Sequence, residues 1–287
     1  MKGDLSGKSV VITGATSGIG LAAVKAFVAA GAFVIGVGRN AQRNRKALES
    51  VFNEVPESHV RYLLADLAVQ DQVHQLAITI KEVLKAQQIN KLDVLVNNAG
   101  VYQERKHKTV DGIEMTFAVN HLAPYMLTHD LKPLLQASED GRVLTVSSYA
   151  HYTTPLCLDR IANPWPYIGL LAYKRSKLCN VLFTYELNRR EKRLKAYAVD
   201  PGLVNTGIAS KGGKGISDWV WRWRREKGTD PVVPVRTLLY LAGEKAELPQ
   251  GYYVRDCQSL EPSKNAQNAK LGDKLWRLSG KLTGVNW

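Results

Sequence analysis

The chain has 287 residues, 45% apolar and 23% charged, which excludes disordered and fibrous classes and allows a core that needs neither disulfides nor a structural metal. Its 39 Lys and Arg exceed 26 Asp and Glu by 13, a surplus that suits nucleic acid, an anionic membrane or acidic small molecules and says nothing about fold. Cys157, Cys179 and Cys257 are odd in number, widely spaced and never CxxC, which argues against a disulfide framework or zinc cluster and for a reducing, cytoplasmic setting.

The N-terminal stretch reads as entry into a folded strand, with no secretory signal. Ser9–Thr13 has the β-branched richness of a buried parallel strand, and a glycine-rich turn leads to a helix over Leu21–Ala30 that Gly31 stops. Phe33–Val37 is a second strand, Arg43–Val55 a helix closed by Pro56, and Val60–Leu64 a third strand that ends at Asp66. The longest charge-free apolar run, Ala26–Gly38, has 13 residues, short of the roughly 20 that span a bilayer. Val69–Gln88 reads as a helix, Leu92–Val96 as a strand ending in Asn97-Asn98-Ala99-Gly100, and Val110–Leu135 as a long helix. Arg142–Val146 is a strand ending at Ser147-Ser148, Tyr173–Arg190 a helix, and Lys195–Val199 a strand ending at Asp200-Pro201-Gly202. Val204–Thr229 is a Gly/Lys and then Trp/Arg-rich insertion before a further helix.

Six strand-then-helix repeats predict an α/β fold, one doubly wound Rossmann-type parallel sheet with helices on both faces, in a single domain over 1–287. Ligands of such sheets bind beyond the carboxyl ends of the strands, and Gly14, Arg39, Asp66, Asn97, Ser148 and Pro201 fall at those ends.

Thr13-Gly-Ala-Thr-Ser-Gly-Ile-Gly20 places glycines where a backbone can approach a pyrophosphate at a positive helix N-terminus, although a plain strand-to-helix turn has the same spacing. Arg39, Arg43, Arg45 and Lys46 follow the second strand with no acid among them. A guanidinium at Arg39 suits a 2′-phosphate, whereas a solvated helix face accounts for Arg45 and Lys46. Tyr173 and Lys177, at i and i+4, share a helical face. A cation there lowers a phenol pKa that starts near 10, so Tyr173 can exchange a proton with an alcohol oxygen. Alone, Y-x-x-x-K also arises by chance.

Together, Thr13-Gly-x-x-x-Gly-Ile-Gly20, Asp66-Leu67, Asn97-Asn-Ala-Gly100, Asn120, Ser148, Tyr173-x-x-x-Lys177 and Asp200-Pro201-Gly202 resemble the short-chain dehydrogenase/reductase family, in its compact single-domain branch, over nearly the full chain. The resemblance implies an NADP(H)-dependent oxidoreductase that interconverts an alcohol and its aldehyde or ketone. It implies that Gly14, Thr16, Ser17, Gly18, Ile19 and Gly20 cradle the cofactor phosphates, with Arg39 near the 2′-phosphate and Asp66-Leu67 at the adenine. Asn97, Asn98, Ala99 and Gly100 would support the adenosine side, and Pro201, Gly202, Val204 and Thr206 would close over the nicotinamide amide. Tyr173 would be the general acid/base, and Lys177 would hold the nicotinamide ribose. Ser148, 25 residues before Tyr173, would hydrogen-bond the substrate oxygen, while strand alternation turns Ser147 to the other face. Asn120 would hold a water that links Lys177 to solvent.

Val146-Ser-Ser-Tyr-Ala-His151, the stretch Leu171–Leu187, and Tyr252–Cys257 with Leu275-Trp276 are similar to the retinol dehydrogenase-type group. Members mostly use NADP(H), which agrees with Arg39, and the likeness implies an apolar substrate. The chain departs from the group in lacking a hydrophobic N-terminal anchor, which leaves membrane residence and a retinoid substrate open. The resemblance also implies a homo-oligomer packed through Val110–Leu135 and Tyr173–Arg190.

Trp219-Val-Trp-Arg-Trp-Arg-Arg225 fits a substrate lid, a peripheral membrane contact or a base-stacking surface; the scattered placement of the other basic residues disfavours nucleic acid. Tyr152, Trp165 and Tyr167 either line an apolar pocket or pack the core. Cys157 and Cys179 read as inert buried thiols rather than nucleophiles, and His151 as a structural histidine rather than a substrate contact. An NADP(H)-binding regulatory or scaffold protein without turnover is the rival class, and it has no need of Asn120, Ser148, Tyr173 and Lys177 together.

Overall fold

A computed structural model describes residues 4–202, 230, 232–243 and 252–287. The β-branched runs form strands β1 (Ser9–Thr13), β2 (Phe33–Gly38), β3 (Val60–Leu64), β4 (Val94–Asn97), β5 (Gly141–Val146) and β6 (Leu194–Val199), joined by β7 (Tyr253–Arg255) and β8 (Gln258–Ser259). They make one eight-stranded sheet in the order β3-β2-β1-β4-β5-β6-β7-β8. Pairings from β3 through β7 are parallel, and β8 closes antiparallel on β7. The chain starts mid-sheet, winds out to β3 and returns to β4. The winding therefore reverses between β1 and β4, and sheets of this kind open a ligand crevice beyond the carboxyl ends at that point.

Alternation along β1 explains the two covering layers. Val10 and Ile12 join one buried cluster with Val24 and Phe27 of α1 (Gly18–Ala29), Val51 of α2 (Ala41–Glu54) and Leu238 of α7 (Val232–Ala242). Val11 points the other way, into a cluster with Ile80 of α3 (Gln70–Ala86), Leu131 of α5 (Ala123–Ala137) and Phe183 of α6 (Gly169–Arg190). α5 is preceded by the short α4 (Met115–Phe117) and a π-helical turn over Ala118–Leu122.

The structure differs from the sequence reading at three places. The helix expected from Val110 begins only at Met115, because Gly112 takes φ +78° in a turn closed by an antiparallel backbone bridge between Lys108 and Glu114; the Glu114 carboxylate then accepts from Thr116 and Phe117 N–H at 2.9 and 2.8 Å. α6 starts a turn earlier than expected, which sets Tyr173 in its second turn. β7 and β8 turn through Asp256 and Cys257 at φ 49° and 63°, a hairpin turn made without glycine, and α8 (Ala269–Thr283) comes after them behind an Asn268 cap.

α8 lies across α5 and α6, where the resemblance implies an oligomer contact. Trp276 packs on Tyr125 and Phe183 at ring separations of 5.2 and 5.8 Å, and Trp287 on Tyr125 at 5.6 Å, so part of that face is covered by the chain's own C-terminal segment. Among the described residues no helix is long and apolar enough to cross a membrane. Val204, Thr206 and Trp219–Arg225 lie outside the described residues.

Candidate active site

The glycine turn sits at the reversal of the sheet. Gly14 adopts φ +67°, and a Cβ there would come within 2.9 Å of the Ala99 Cα; one at Gly20 would collide with the Gly14 carbonyl oxygen. The Thr13 hydroxyl oxygen accepts from the N–H groups of Asn98 and Ala99, both at 3.0 Å, and the Asn98 amide donates to the Thr13 carbonyl at 2.8 Å. These bonds join the carboxyl ends of β1 and β4 and fix the turn over the crevice. Ser17 precedes α1 without a side-chain cap, and the first turn holds no acid, so the opening amides of α1 keep their donor capacity for an anion.

Arg39 is exposed at the carboxyl end of β2 and makes no ion pair among the described residues. A Cβ at Gly38 would lie 2.5 Å from the Thr16 methyl, so the glycine turn and the Arg39 corner are contiguous. Asp66 is half-buried past β3, and its Oδ1 accepts from Ala68 N–H at 3.0 Å. Leu67 packs beside it against the core. Asn97 is buried and donates to the Thr128 hydroxyl at 3.3 Å, a tie between β4 and α5. The arrangement fits a dinucleotide phosphate: a side-chain-free cradle, uncapped amides and a free guanidinium beside it.

The carboxyl end of β5 is tied to α6 by three bonds. Lys177 Nζ donates to the Val146 carbonyl at 3.0 Å, Asn180 donates to the same oxygen at 3.2 Å, and the Ser147 hydroxyl donates to the Lys177 carbonyl at 2.9 Å. Ser147 thus faces away from Ser148, as strand alternation requires. Lys177 is 4% exposed, and desolvation lowers its pKa from 10.5 to about 8. Its Nζ lies 5.6 Å from the centre of the Tyr173 ring, which is also buried. A Cβ at Gly100 would sit 3.6 Å from both Lys177 Nζ and Asn120 Oδ1, so the β4 turn approaches both groups.

Asn120 lies in the π-helical turn, a form often found at functional sites. Its Oδ1 accepts from Val101 N–H at 2.8 Å and its Nδ2 reaches the Val101 carbonyl and the Ser176 hydroxyl, both at 3.0 Å. It therefore anchors the loop after β4 to α6. The half-buried Ser148 accepts from Ala150 N–H at 3.2 Å, which leaves its hydroxyl proton to be donated elsewhere.

His151 is fully buried and structural. Ser263 N–H donates to its Nε2 at 3.2 Å, so the ring proton resides on Nδ1 and is donated to the Ser148 carbonyl at 2.9 Å; burial holds its pKa below the ordinary range. Its ring meets Tyr253 at 4.7 Å, and the Tyr253 hydroxyl donates to Asp200 at 2.7 Å. Asp200 in turn accepts from Gly202 N–H at 3.0 Å. The sequence does not mark Tyr253 and Ser263 as supports of this corner; its only signal is the likeness of the 252–257 stretch.

The pocket aromatics separate. Tyr167 donates to the Gln103 carbonyl at 3.0 Å and is packing, Tyr152 is bonded to the Glu261 carbonyl, and Trp165 is 75% exposed. Tyr102, which no sequence motif singles out, meets Tyr173 edge-on at 6.2 Å. Cys179 is buried and its thiol pKa raised by desolvation, as an inert cysteine requires, whereas Cys157, expected to be buried, is exposed in the loop before α6.

The family model for the short chain dehydrogenases matches residues 8–216. Mouse retinol dehydrogenase 12 is 33% identical over 286 residues, covering 99% of this chain and 88% of its own. The structure of an uncharacterised protein from Mycobacterium paratuberculosis superposes with a TM-score of 0.74 at 30% identity, covering 99% of this chain and 96% of its own. A short chain dehydrogenase from Shigella flexneri, complexed with NADP, has the same fold, with a TM-score of 0.68 at 21% identity over 89% of this chain and 99% of its own. With the matched span containing the glycine turn, Ser148, Tyr173 and Lys177, this chain belongs to the short chain dehydrogenase family of oxidoreductases and is similar to the retinol dehydrogenases within it.

Proposed function

We propose that the protein interconverts an apolar alcohol and its aldehyde or ketone using NADP(H), with Tyr173 as general acid/base. The observation that carries the reading is Lys177, a cation buried without a carboxylate partner among the described residues and set 5.6 Å from the Tyr173 ring. A core has no use for such a group, since burying an unpaired ammonium is costly. Beside a phenol it stabilises the phenolate that remains after proton donation.

NADP(H), when bound, supplies or accepts the hydride. The chain's own residues do the rest. Ser148 would donate its free hydroxyl proton to the substrate oxygen as negative charge grows there. Tyr173 would then give its proton to that oxygen in reduction, or take it in oxidation, and Lys177 would hold the resulting charge. Asn120 would keep the 101 loop and α6 in register around Lys177. Doubly wound folds serve both NAD and NADP, so the fold does not choose; the unpaired Arg39 at the end of β2, with no acid beside it, favours the 2′-phosphate.

Fluorescence titration with NADPH and NADH, followed by NADPH oxidation against a panel of apolar carbonyls, tests the proposal. Tyr173→Phe should bind NADPH normally and lose turnover by at least a hundredfold, in the range ascribed to a single proton-transfer group. Tight binding with no turnover on the panel would favour a cofactor-binding regulator.

A further inference from the structure

We infer that His121 is a positioning residue for Lys177, acting through the side-chain amide of Asn180. Its meaning for catalysis rests on the proposed function; the line of bonds does not. The π-helical turn over Ala118–Leu122 makes the arrangement possible. Consecutive residues of an α-helix point about 100° apart and do not face one partner. Here both face α6. Asn120 donates to the Ser176 hydroxyl at 3.0 Å, and His121 lies against Asn180, one turn further along the same helix.

His121 is 1% exposed, and desolvation lowers its pKa from 6.5 to about 3, so the ring is neutral and carries one proton. The bonds around it decide which nitrogen holds that proton. Asn180 must turn Nδ2 toward the Val146 carbonyl, to which it donates at 3.2 Å, because that oxygen can only accept. The Asn180 Oδ1 is then left as an acceptor on the side of the histidine. That oxygen and His121 Nδ1 are both buried without another partner among the described residues, so the proton belongs on Nδ1 and is directed at Oδ1. His121 Nε2, 2.9 Å from the Ser279 hydroxyl of α8, is then the acceptor. Ser279 can turn its proton to the ring, because its other acceptor, the Leu275 carbonyl at 2.9 Å, lies inside α8 and has a helical donor.

A single line of donors and acceptors therefore runs from α8 to the reacting end of α6: Ser279, His121, Asn180 and the Val146 carbonyl, which also receives Lys177 Nζ at 3.0 Å. Without the imidazole, Asn180 Oδ1 is a buried acceptor with no donor, and an amide that rotates to find one gives up the Val146 carbonyl. The oxygen that aims Lys177 toward Tyr173 then loses its second tether. Packing is the competing account of His121, since its ring stacks on Phe117 at 5.2 Å.

Three substitutions separate the two accounts. Phenylalanine keeps the stacking ring and loses both nitrogens. Asparagine places an amide nitrogen where histidine carries Nδ1, and glutamine places one where histidine carries Nε2. His121→Phe and His121→Gln should each lower kcat about tenfold, the worth of one hydrogen bond, whereas His121→Asn should restore most of it although it leaves the largest cavity and melts lowest. In an Asn180→Leu background, His121→Phe should cost no more than about twofold further, because the amide it acts through is gone. Nitrogen-15 spectra of the histidine-labelled parent, with His121 assigned by its loss in the phenylalanine variant, should show the Nδ1–H tautomer without any turnover readout. A parent with that tautomer that reduces no carbonyl would count against the proposed function and not against the line of bonds. Turnover that ranks with melting temperature, additive losses in the double variant, or an Nε2–H tautomer at His121 would each overturn the inference.

Discussion

Replacing Lys177 with methionine should stabilise the protein while abolishing turnover. Methionine keeps the length and flexibility of the buried stem and removes the charge. Burial takes the ammonium from 10.5 to about 8, and that gap, at about 1.4 kcal/mol per pH unit, makes the folded charged form roughly 3 kcal/mol worse than the unfolded one near neutral pH. The variant loses the bond to the Val146 carbonyl, but Asn180 still donates to that oxygen at 3.2 Å, so the loss is about 1 kcal/mol. The net gain is roughly 2 kcal/mol, a rise in Tm of about 5 °C for a chain of this size. The pH dependence fixes the cause. Folded Lys177 releases its proton near pH 8 and the unfolded side chain near 10.5, so between those values the unfolded state binds more protons and the parent gains stability as pH rises. The advantage of the methionine variant must shrink across that window and vanish by its upper end. Thermal melts of both proteins at neutral pH and above pH 10 measure this. A variant less stable than the parent at neutral pH, or an advantage that does not change with pH, would refute the argument that the lysine is held against its solvation energy.

Arg39→Asp should weaken NADPH binding by roughly tenfold to a hundredfold and improve NADH binding, because charge-assisted bonds contribute about 1.5–3 kcal/mol and the acid instead accepts from ribose hydroxyls; an unchanged preference in paired titrations would remove Arg39 from the cofactor site. His151→Phe strands the Ser263 N–H and frees the Ser148 carbonyl, so denaturant melts should show a loss of about 1–3 kcal/mol, and kcat should fall with little change in KM for NADPH. An unaltered kcat would mean that Ser148 needs no such support. Trp276→Ala empties the contact with Tyr125 and Phe183 and should cost about 3–5 kcal/mol in chemical denaturation, whereas a near-neutral change would show that α8 rests on α6 without holding it.

The strands and helices through β6 are legible because each is a local pattern. β1 and β3 end where their β-branched runs end, and most of the helices begin or stop within a turn of the expected positions. The start at Met115 is obscured because residues 110–114 share the helical period of α4 and α5, while a single positive φ at Gly112 and the Glu114 cap decide the boundary. β7 and β8 are a three-residue and a two-residue strand, too short for periodicity, and their turn uses Asp256 and Cys257 where hairpins usually place glycine. α8 escapes for another reason. Its local signals are strong, with the Asn268 cap, an amphipathic period and Gly284 at φ 69°, and what its own sequence does not name are Tyr125 and Phe183, the partners of its buried face far earlier in the chain.

The same division runs through the candidate site. Tyr173 and Lys177 announce themselves at i and i+4 on one helix, and the glycine turn lies between adjacent elements. The groups that hold them in place are remote: Thr13 binds Asn98 across 85 residues, Tyr253 binds Asp200 across 53, and Ser263 binds His151 across 112. The last two have a common consequence. The Ser148 carbonyl and the Gly202 amide, just past the carboxyl ends of the neighbouring strands β5 and β6, are both anchored by way of residues 253–263, through His151 in one case and through Tyr253 and Asp200 in the other. The late segment that adds least to the sheet therefore fixes two corners of the candidate site. Loss of either anchor should disturb chemistry before it disturbs the fold, because β1 through β6 pair among themselves and the segment lends only Val254 to the clusters on the two faces of β1.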